Sequence, residues 1–234
     1  MTNDPARIVA TASSTAACMD PHSQSLGALG TERDFKPGHV LARAGSSIKS
    51  VFFVQTGLIS IFIPLEDGHA VEVAMAGSGM VLGGGCVHGR HSWLNTISAQ
   101  IAGVAREIPS REFAAAAATQ DSVKTQVFRS EEFISAQAQQ TAACNATHLV
   151  EQRLCTWLLR AQTIADVEEL PFTQEFLAGM LGSQRGVVSG AAARLQKLGL
   201  LHYRRGHIVI PDRNALESKA CECYRAVNQR IRLT

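Results

Sequence analysis

Between Phe172 and Arg213 this chain of 234 residues concentrates its cations: Arg185, Arg194, Lys197, Arg204, Arg205 and Arg213 are opposed by Glu175 and Asp212 alone. An arginine guanidinium is a planar fork of donors that fits a phosphate or a guanine edge bidentately, so this stretch suits the binding of a polyanion. Thr173, Gln174, Ser183, Gln184 and Ser189 add short polar groups around Arg185. The net charge of the whole chain is only +2, so the distribution carries the signal and the total does not.

The other groups able to do chemistry are scattered. Six cysteines stand at 18, 86, 144, 155, 221 and 223 with no CxxC pair, which predicts reduced and mostly buried thiols. Cys221-Glu-Cys223 invites a metal or redox reading, but residues two apart on a helix face different ways, so an inert pair and no metal site are expected. Cys86 and His88 lie in the glycine-rich stretch Gly77 to Gly89 and His91 just beyond it, where a thiolate or imidazole could ligate a haem iron.

The elements that would position the cationic stretch can be read locally. Thr173 is a good N-cap for a helix from Gln174 to Leu181, Gly182 permits a sharp turn, and a second helix runs from Gln184 to Leu198 before Gly199 ends it. Small Ala178 allows the helices to cross closely, with Leu177, Leu181, Val188 and Leu195 between them. A basic hairpin follows, Leu200 to Tyr203 and His207 to Ile210 around Arg204-Arg205-Gly206. Thr173 to Pro211 thus reads as a winged helix-turn-helix, a DNA-binding module.

Upstream, residues 1–30 lack a sustained apolar period and are expected to be flexible. Residues 31–120 carry strand-like runs, Val51 to Val54, Leu58 to Ile63, Val71 to Met75 and Thr96 to Ile108, separated by turn signals such as Asp67-Gly68. A short alanine-rich helix, Phe113 to Ala118, closes them. Residues 121–165 contain neither Pro nor Gly and predict one long helix, on which Ile134, Ala138, Ala142, Ala146 and Leu149 fall three or four apart as a dimer seam. Residues 166–234 form the remaining unit, entered through the linker Asp166 to Pro171. No apolar run spans a membrane and the N-terminus has no signal-peptide pattern, so a cytoplasmic protein without membrane contact is expected.

Leu170 to Gly182, Arg185, Arg194 to Leu201, Arg204 to Ile210 and Asp212-Arg213, together with Phe35 to Leu41, Gly45-Ser46, Val51 to Val54, Gly57-Leu58 and Gly79 to Gly83, resemble the Crp/Fnr family of transcription regulators. The resemblance implies an α+β fold: an N-terminal antiparallel β-roll of the cyclic-nucleotide-binding kind, a long dimerisation helix and a C-terminal winged helix-turn-helix. It implies a homodimer on a two-fold symmetric double-stranded DNA operator, with RNA polymerase as a further partner and no enzymatic activity. The recognition helix 184–198 would bring Ser183, Gln184, Arg185, Val187 and Ser189 to a major groove. Thr173 and Gln174 would anchor to phosphate, and Arg204, Arg205 and His207 would add charge contacts from the wing.

The pattern also departs from the family. Where many relatives carry Arg, Glu and Arg along the recognition helix, this chain has Arg185, Gly186 and Gly190, so two base-reading side chains are missing. Members that bind cyclic AMP use a Gly-Glu pair and an Arg-Ser; here stand Gly83-Gly84-Gly85 and no arginine near Leu94-Asn95-Thr96, so cyclic AMP is not expected and the effector is unknown or absent. Cys18 alone cannot supply the N-terminal cysteines of the iron-sulfur members. A haem- or redox-dependent gas sensor is the alternative. A cupin-like metalloenzyme lacks its His-x-His and following carboxylate.

Overall fold

The computed structural model describes residues 26–204 and 206–232. Cys18, Arg205 and most of the 1–30 segment, for which flexibility is expected, therefore lie outside the described residues.

Eight strands build the roll: β1 (Thr31–Phe35), β2 (Val40–Ala42), β3 (Ser50–Val54), β4 (Leu58–Pro64), β5 (Ala70–Ala76), β6 (Val81–Leu82), β7 (Thr96–Ile101) and β8 (Gly103–Pro109). They form two antiparallel four-stranded sheets, ordered β1-β8-β3-β6 and β2-β7-β4-β5. β3 reads as an unbroken apolar run because both its faces are covered. Phe52 and Val54 face the other sheet. Val51 and Phe53 pack on Phe113, Val123 and Val127 of the helices that follow.

The sequence predicts a single strand from Thr96 to Ile108, whereas the structure has two, β7 and β8, divided at Ala102. Gly103 shows why: a Cβ there would lie 2.2 Å from the carbonyl oxygen of Thr56, so the chain passes backbone against backbone as it changes sheet.

Helices α1 (Ser110–Thr119), α2 (Asp121–Thr147) and α3 (Val150–Ala165) come next. The predicted continuous helix 121–165 is broken at His148 and Leu149, both with extended backbone. Propensity does not demand this break. The Thr147 hydroxyl back-bonds to the Ala143 carbonyl at 2.8 Å, the Gln152 side chain accepts from the Leu149 N–H at 3.3 Å, and His148 is drawn toward Glu222, far along the chain.

The remaining elements are β9 (Glu169–Leu170), α4 (Gln174–Met180), α5 (Arg185–Lys197), β10 (His202–Arg204), β11 (His207–Val209), α6 (Arg213–Glu217) and α7 (Cys223–Arg232). Helix α3 is their spine: Leu154, Trp157, Leu158 and Ala161 share one core with Leu177, Val188, Leu195, Leu201 and Ile208, and with Leu58 and Met75 of the roll. The roll and the C-terminal unit are thus joined by a continuous apolar core, worth roughly 1.5–3 kcal/mol per large side chain.

Candidate nucleic-acid interface

Thr173 opens α4 as its N-cap, with Oγ1 accepting from the Phe176 N–H at 3.2 Å, which leaves the hydroxyl hydrogen free to donate outward. Gly182, at φ 54, turns the chain where a side chain would be strained. Helix α5 then crosses α4 with Val188, Ala191, Ala192 and Leu195 buried.

Three contacts hold this pair at fixed orientation. Ser189 donates to Gln174 Oε1 at 2.6 Å, Arg194 Nε meets Glu151 Oε2 of α3 at 2.6 Å, and the Arg153 guanidinium donates to the Leu181 carbonyl. Two of the residues read from the sequence as DNA contacts, Ser189 and Gln174, therefore bond to each other across the helix pair. Gln184, Arg185, Gly186 and Val187 stand exposed at the opposite side, in the first turn of α5. Ser183 is half-buried beside them. Arg185 Nε lies 3.3 Å from Glu175 Oε2, with both side chains about two-thirds exposed, so a stronger anion can take the guanidinium over.

Positions 186, 190 and 193 repeat along the face of α5 turned away from the core, occupied by Gly, Gly and Ala. A Cβ on Gly186 would meet nothing within 4 Å, and one on Gly190 only the end of Arg194 at 3.5 Å. That face is smooth main chain, with Arg185 at its leading edge.

The wing is a three-stranded sheet, β10-β11-β9. Arg204 is exposed near its tip, and Gly206 makes the turn at φ 84. His207, read as a wing contact, leans back toward Glu169 across the β9–β11 pair, Nδ1 to Oε2 3.8 Å. Arg213, counted among the concentrated cations, is consumed internally: it donates to Gln162 Oε1 at 2.7 Å and to the Tyr224 hydroxyl at 2.6 Å.

Residues 152–219 match the Crp-like helix-turn-helix domain and residues 32–120 match the cyclic nucleotide-binding domain, in the order that Crp/Fnr regulators combine them. The chain belongs to the Crp/Fnr family of transcription regulators. Solved structures agree on the fold of this Crp/Fnr protein. FixK2 from Bradyrhizobium japonicum superposes with a TM-score of 0.70 at 19% identity, over 82% of this chain and 98% of that one. A CRP-family transcriptional regulator from Thermus thermophilus gives 0.67 at 20%, over 80% and 96%. The regulator CLP of Xanthomonas campestris, described as responsive to c-di-GMP, gives 0.66 at 17%, over 81% and 97%. No curated protein matches the Crp/Fnr chain in sequence. None of its described helices is long and apolar enough to cross a membrane.

Within this Crp/Fnr protein the glycine-rich turn of the roll is filled. A Cβ on Gly83 would strike the Trp93 ring at 2.7 Å and one on Gly84 the Val127 side chain at 2.8 Å, so these glycines serve close packing of the turn against α2. Arg90, His88 and His91 are exposed nearby, and Cys86 is half-buried, its thiol pushed up by burial.

Sequence reasoning missed the joint between roll and reader. Glu72 on β5 is buried and accepts hydrogen bonds from Ser60 and from the Trp157 indole of α3. Burial raises its carboxyl to about 7, against the opposing pull of those two donors and of nearby Arg160. The other face of Trp157 packs edge-on against Phe172 and Phe176, at centroid distances of 5.2 and 6.0 Å, so one side chain touches both the roll and the first helix of the reading head.

On α2 the five predicted seam residues do not share one environment. Ile134 packs on the core of the roll, Ala138 is half-buried, and Ala142, Ala146 and Leu149 are exposed, the last at the helix break. The exposed line at alternating spacings of four and three also contains Phe128, 65% exposed, which the sequence reading omitted. Cys221 and Cys223 do not diverge as two residues of one helix would. Cys221 precedes α7 and only Cys223 lies on it, so both sulfurs turn to the same cluster, with Cys144.

Proposed function

We propose that this regulator acts in the cytoplasm as a homodimer that binds a two-fold symmetric DNA operator, one α5 helix in each of two successive major grooves about 34 Å apart. The observation that carries the reading is the exposed first turn of α5, Gln184 to Val187, on a helix tied to α3 by Arg194–Glu151 and preceded by a turn whose Leu181 carbonyl Arg153 holds. A rigid element with a free cationic end is what reading a groove requires. Arg185 supplies base discrimination, and Thr173 and Arg204 supply phosphate contacts. Main-chain closeness at Gly186 and Gly190 replaces the missing long side chains. Phe128, Ala142, Ala146 and Leu149 form the seam between protomers.

The roll serves as a sensor that does not take cyclic AMP. The packing of Gly83 and Gly84 against Trp93 and Val127 supports this, as does the exposure of Arg90, the arginine beside Gly85, since a cyclic phosphate held in the roll needs a cationic partner turned inward. Selection of genomic fragments by the purified protein tests the whole reading. A palindromic motif whose two halves are one helical turn apart is expected, with affinity falling steeply as salt rises. Fragments without a shared motif, or salt-insensitive binding, overturn it.

A further inference from the structure

We propose that Cys144, His148, Cys221 and Cys223 form a tetrahedral site for one zinc ion, which ties the end of α2 to the start of α7. The Sγ atoms of Cys144 and Cys221 stand 3.5 Å apart, as do Cys223 Sγ and His148 Nδ1, and the four ligand atoms all lie within 4.8 Å of one another. Zinc bonds of about 2.3 Å to sulfur and 2.1 Å to nitrogen set tetrahedral edges of about 3.8 and 3.6 Å, so the spacing suits a single ion. An iron-sulfur cluster holds its ligands on separate irons and needs them farther apart. Three thiolates with an imidazole select a soft, tetrahedral cation over magnesium or calcium.

The surroundings are those of a ligand set. His148, with Nδ1 toward the sulfurs, has its Nε2 3.2 Å from Glu222 Oε1, the carboxylate–histidine arrangement that orients an imidazole on a metal. Gln140 Nε2 donates to Cys223 Sγ at 3.1 Å, and the Thr156 hydroxyl stands 3.1 Å from Cys221 Sγ, where it donates once that sulfur is a thiolate. Three thiolates and a dication leave one negative charge. Arg153 and Arg160 stand within electrostatic reach of Cys144 and Cys221, and Arg153 Nε is buried without a hydrogen-bond partner. The sulfurs are buried while Glu222 is 78% exposed, so the ion enters past the histidine edge and the thiol protons leave to solvent as it binds.

The full chain, expressed with zinc and purified anaerobically under reductant, is expected to carry one zinc per chain by elemental analysis. Cobalt(II) added to the stripped protein is expected to give the intense thiolate charge-transfer absorption of a four-coordinate site. Cys223→Ser removes that absorption, whereas Cys86→Ser and Cys155→Ser retain it. Glu222→Gln, at an exposed position that leaves the fold intact by circular dichroism, weakens zinc about tenfold in a chelator competition. Metal content near zero with no cobalt–thiolate band overturns the proposal. An iron-sulfur spectrum, a Cys144–Cys221 disulfide in the anaerobic protein, or full zinc retention by both Cys223→Ser and Glu222→Gln overturns it equally.

Discussion

The different work proposed for Arg185 and Arg204, two identical side chains, follows from their surroundings. Arg185 sits in the first turn of α5, pointing from a clamped helix, and Arg204 sits at the edge of a hairpin tip. Arg185→Ala is expected to cost about 1–3 kcal/mol on the selected operator and little on random DNA. Arg204→Ala should weaken both alike and lower the salt slope by about one unit per lost phosphate contact, as fluorescence anisotropy at several salt concentrations would read. Equal losses for both variants on both DNAs would refute the division. Glu72 is the other residue whose surroundings set its behaviour. Its folded-state carboxyl titrates near 7 and its unfolded one near 4.5, so the folded state holds the proton more tightly and stability falls as pH rises between those values. Glu72→Gln, which keeps the shape and removes the charge, is expected to flatten that fall and to stabilise the protein at pH 8 by about 3 kcal/mol at most, checked by urea denaturation at pH 5 and pH 8. A parallel decline in both proteins would exclude Glu72 as its source.

At the scale of elements, helix α5 trades stability for a bare surface. Glycine in a helix interior costs about 1 kcal/mol relative to alanine, and neither Gly186 nor Gly190 has a positive φ or a neighbour that a methyl group would strike. Gly190→Ala, in the helix interior, should therefore raise the unfolding free energy by about 1 kcal/mol and Gly186→Ala, in the first turn, by less, and a loss of stability in denaturant titration would contradict the open geometry around them. Operator affinity is expected to drop in both variants, because the added methyl stands between main chain and groove. How legible each element was depended on how local its causes are. Thr173, Gly182, Gly199 and the periodic Val188 and Leu195 declared both helices of the reader within a few residues. The division at Ala102 was silent in sequence, because one glycine in the strand-like run Thr96 to Ile108 is a weak signal and the obstacle at Gly103 is the carbonyl of Thr56, in a turn more than forty residues earlier. The break at His148 was silent for a similar reason: nothing in residues 121–165 forbids a continuous helix, and Glu222 and Cys223 draw the histidine aside.

For the whole molecule, Phe128, Ala142, Ala146 and Leu149 are exposed while Val123, Val127 and Gln137 of α2 are buried, so the proposed seam and the packing of α2 on the roll use different faces of one helix. Ala142→Glu places a charge at the middle of the seam without touching the core. It is expected to shift the protein to monomer in analytical ultracentrifugation and to reduce operator affinity by tenfold or more while leaving the thermal midpoint of the monomer unit similar. An intact dimer with that substitution would move the seam elsewhere. What the sequence determined by itself is the winged helix-turn-helix and its basic edge, since caps, turn glycines and helical periodicity act within a few residues of one another. Tertiary structure alone decided where the cations outside that site go, Arg194 to Glu151 and Arg213 to Gln162 and Tyr224. It also joined Glu72 to Trp157 across 85 positions, and Cys144 to Cys221 across 77. Partners that far apart leave no periodic or spacing signal in the chain, because only the packing of α3 on β5, and of α7 against α2, brings them within bonding distance.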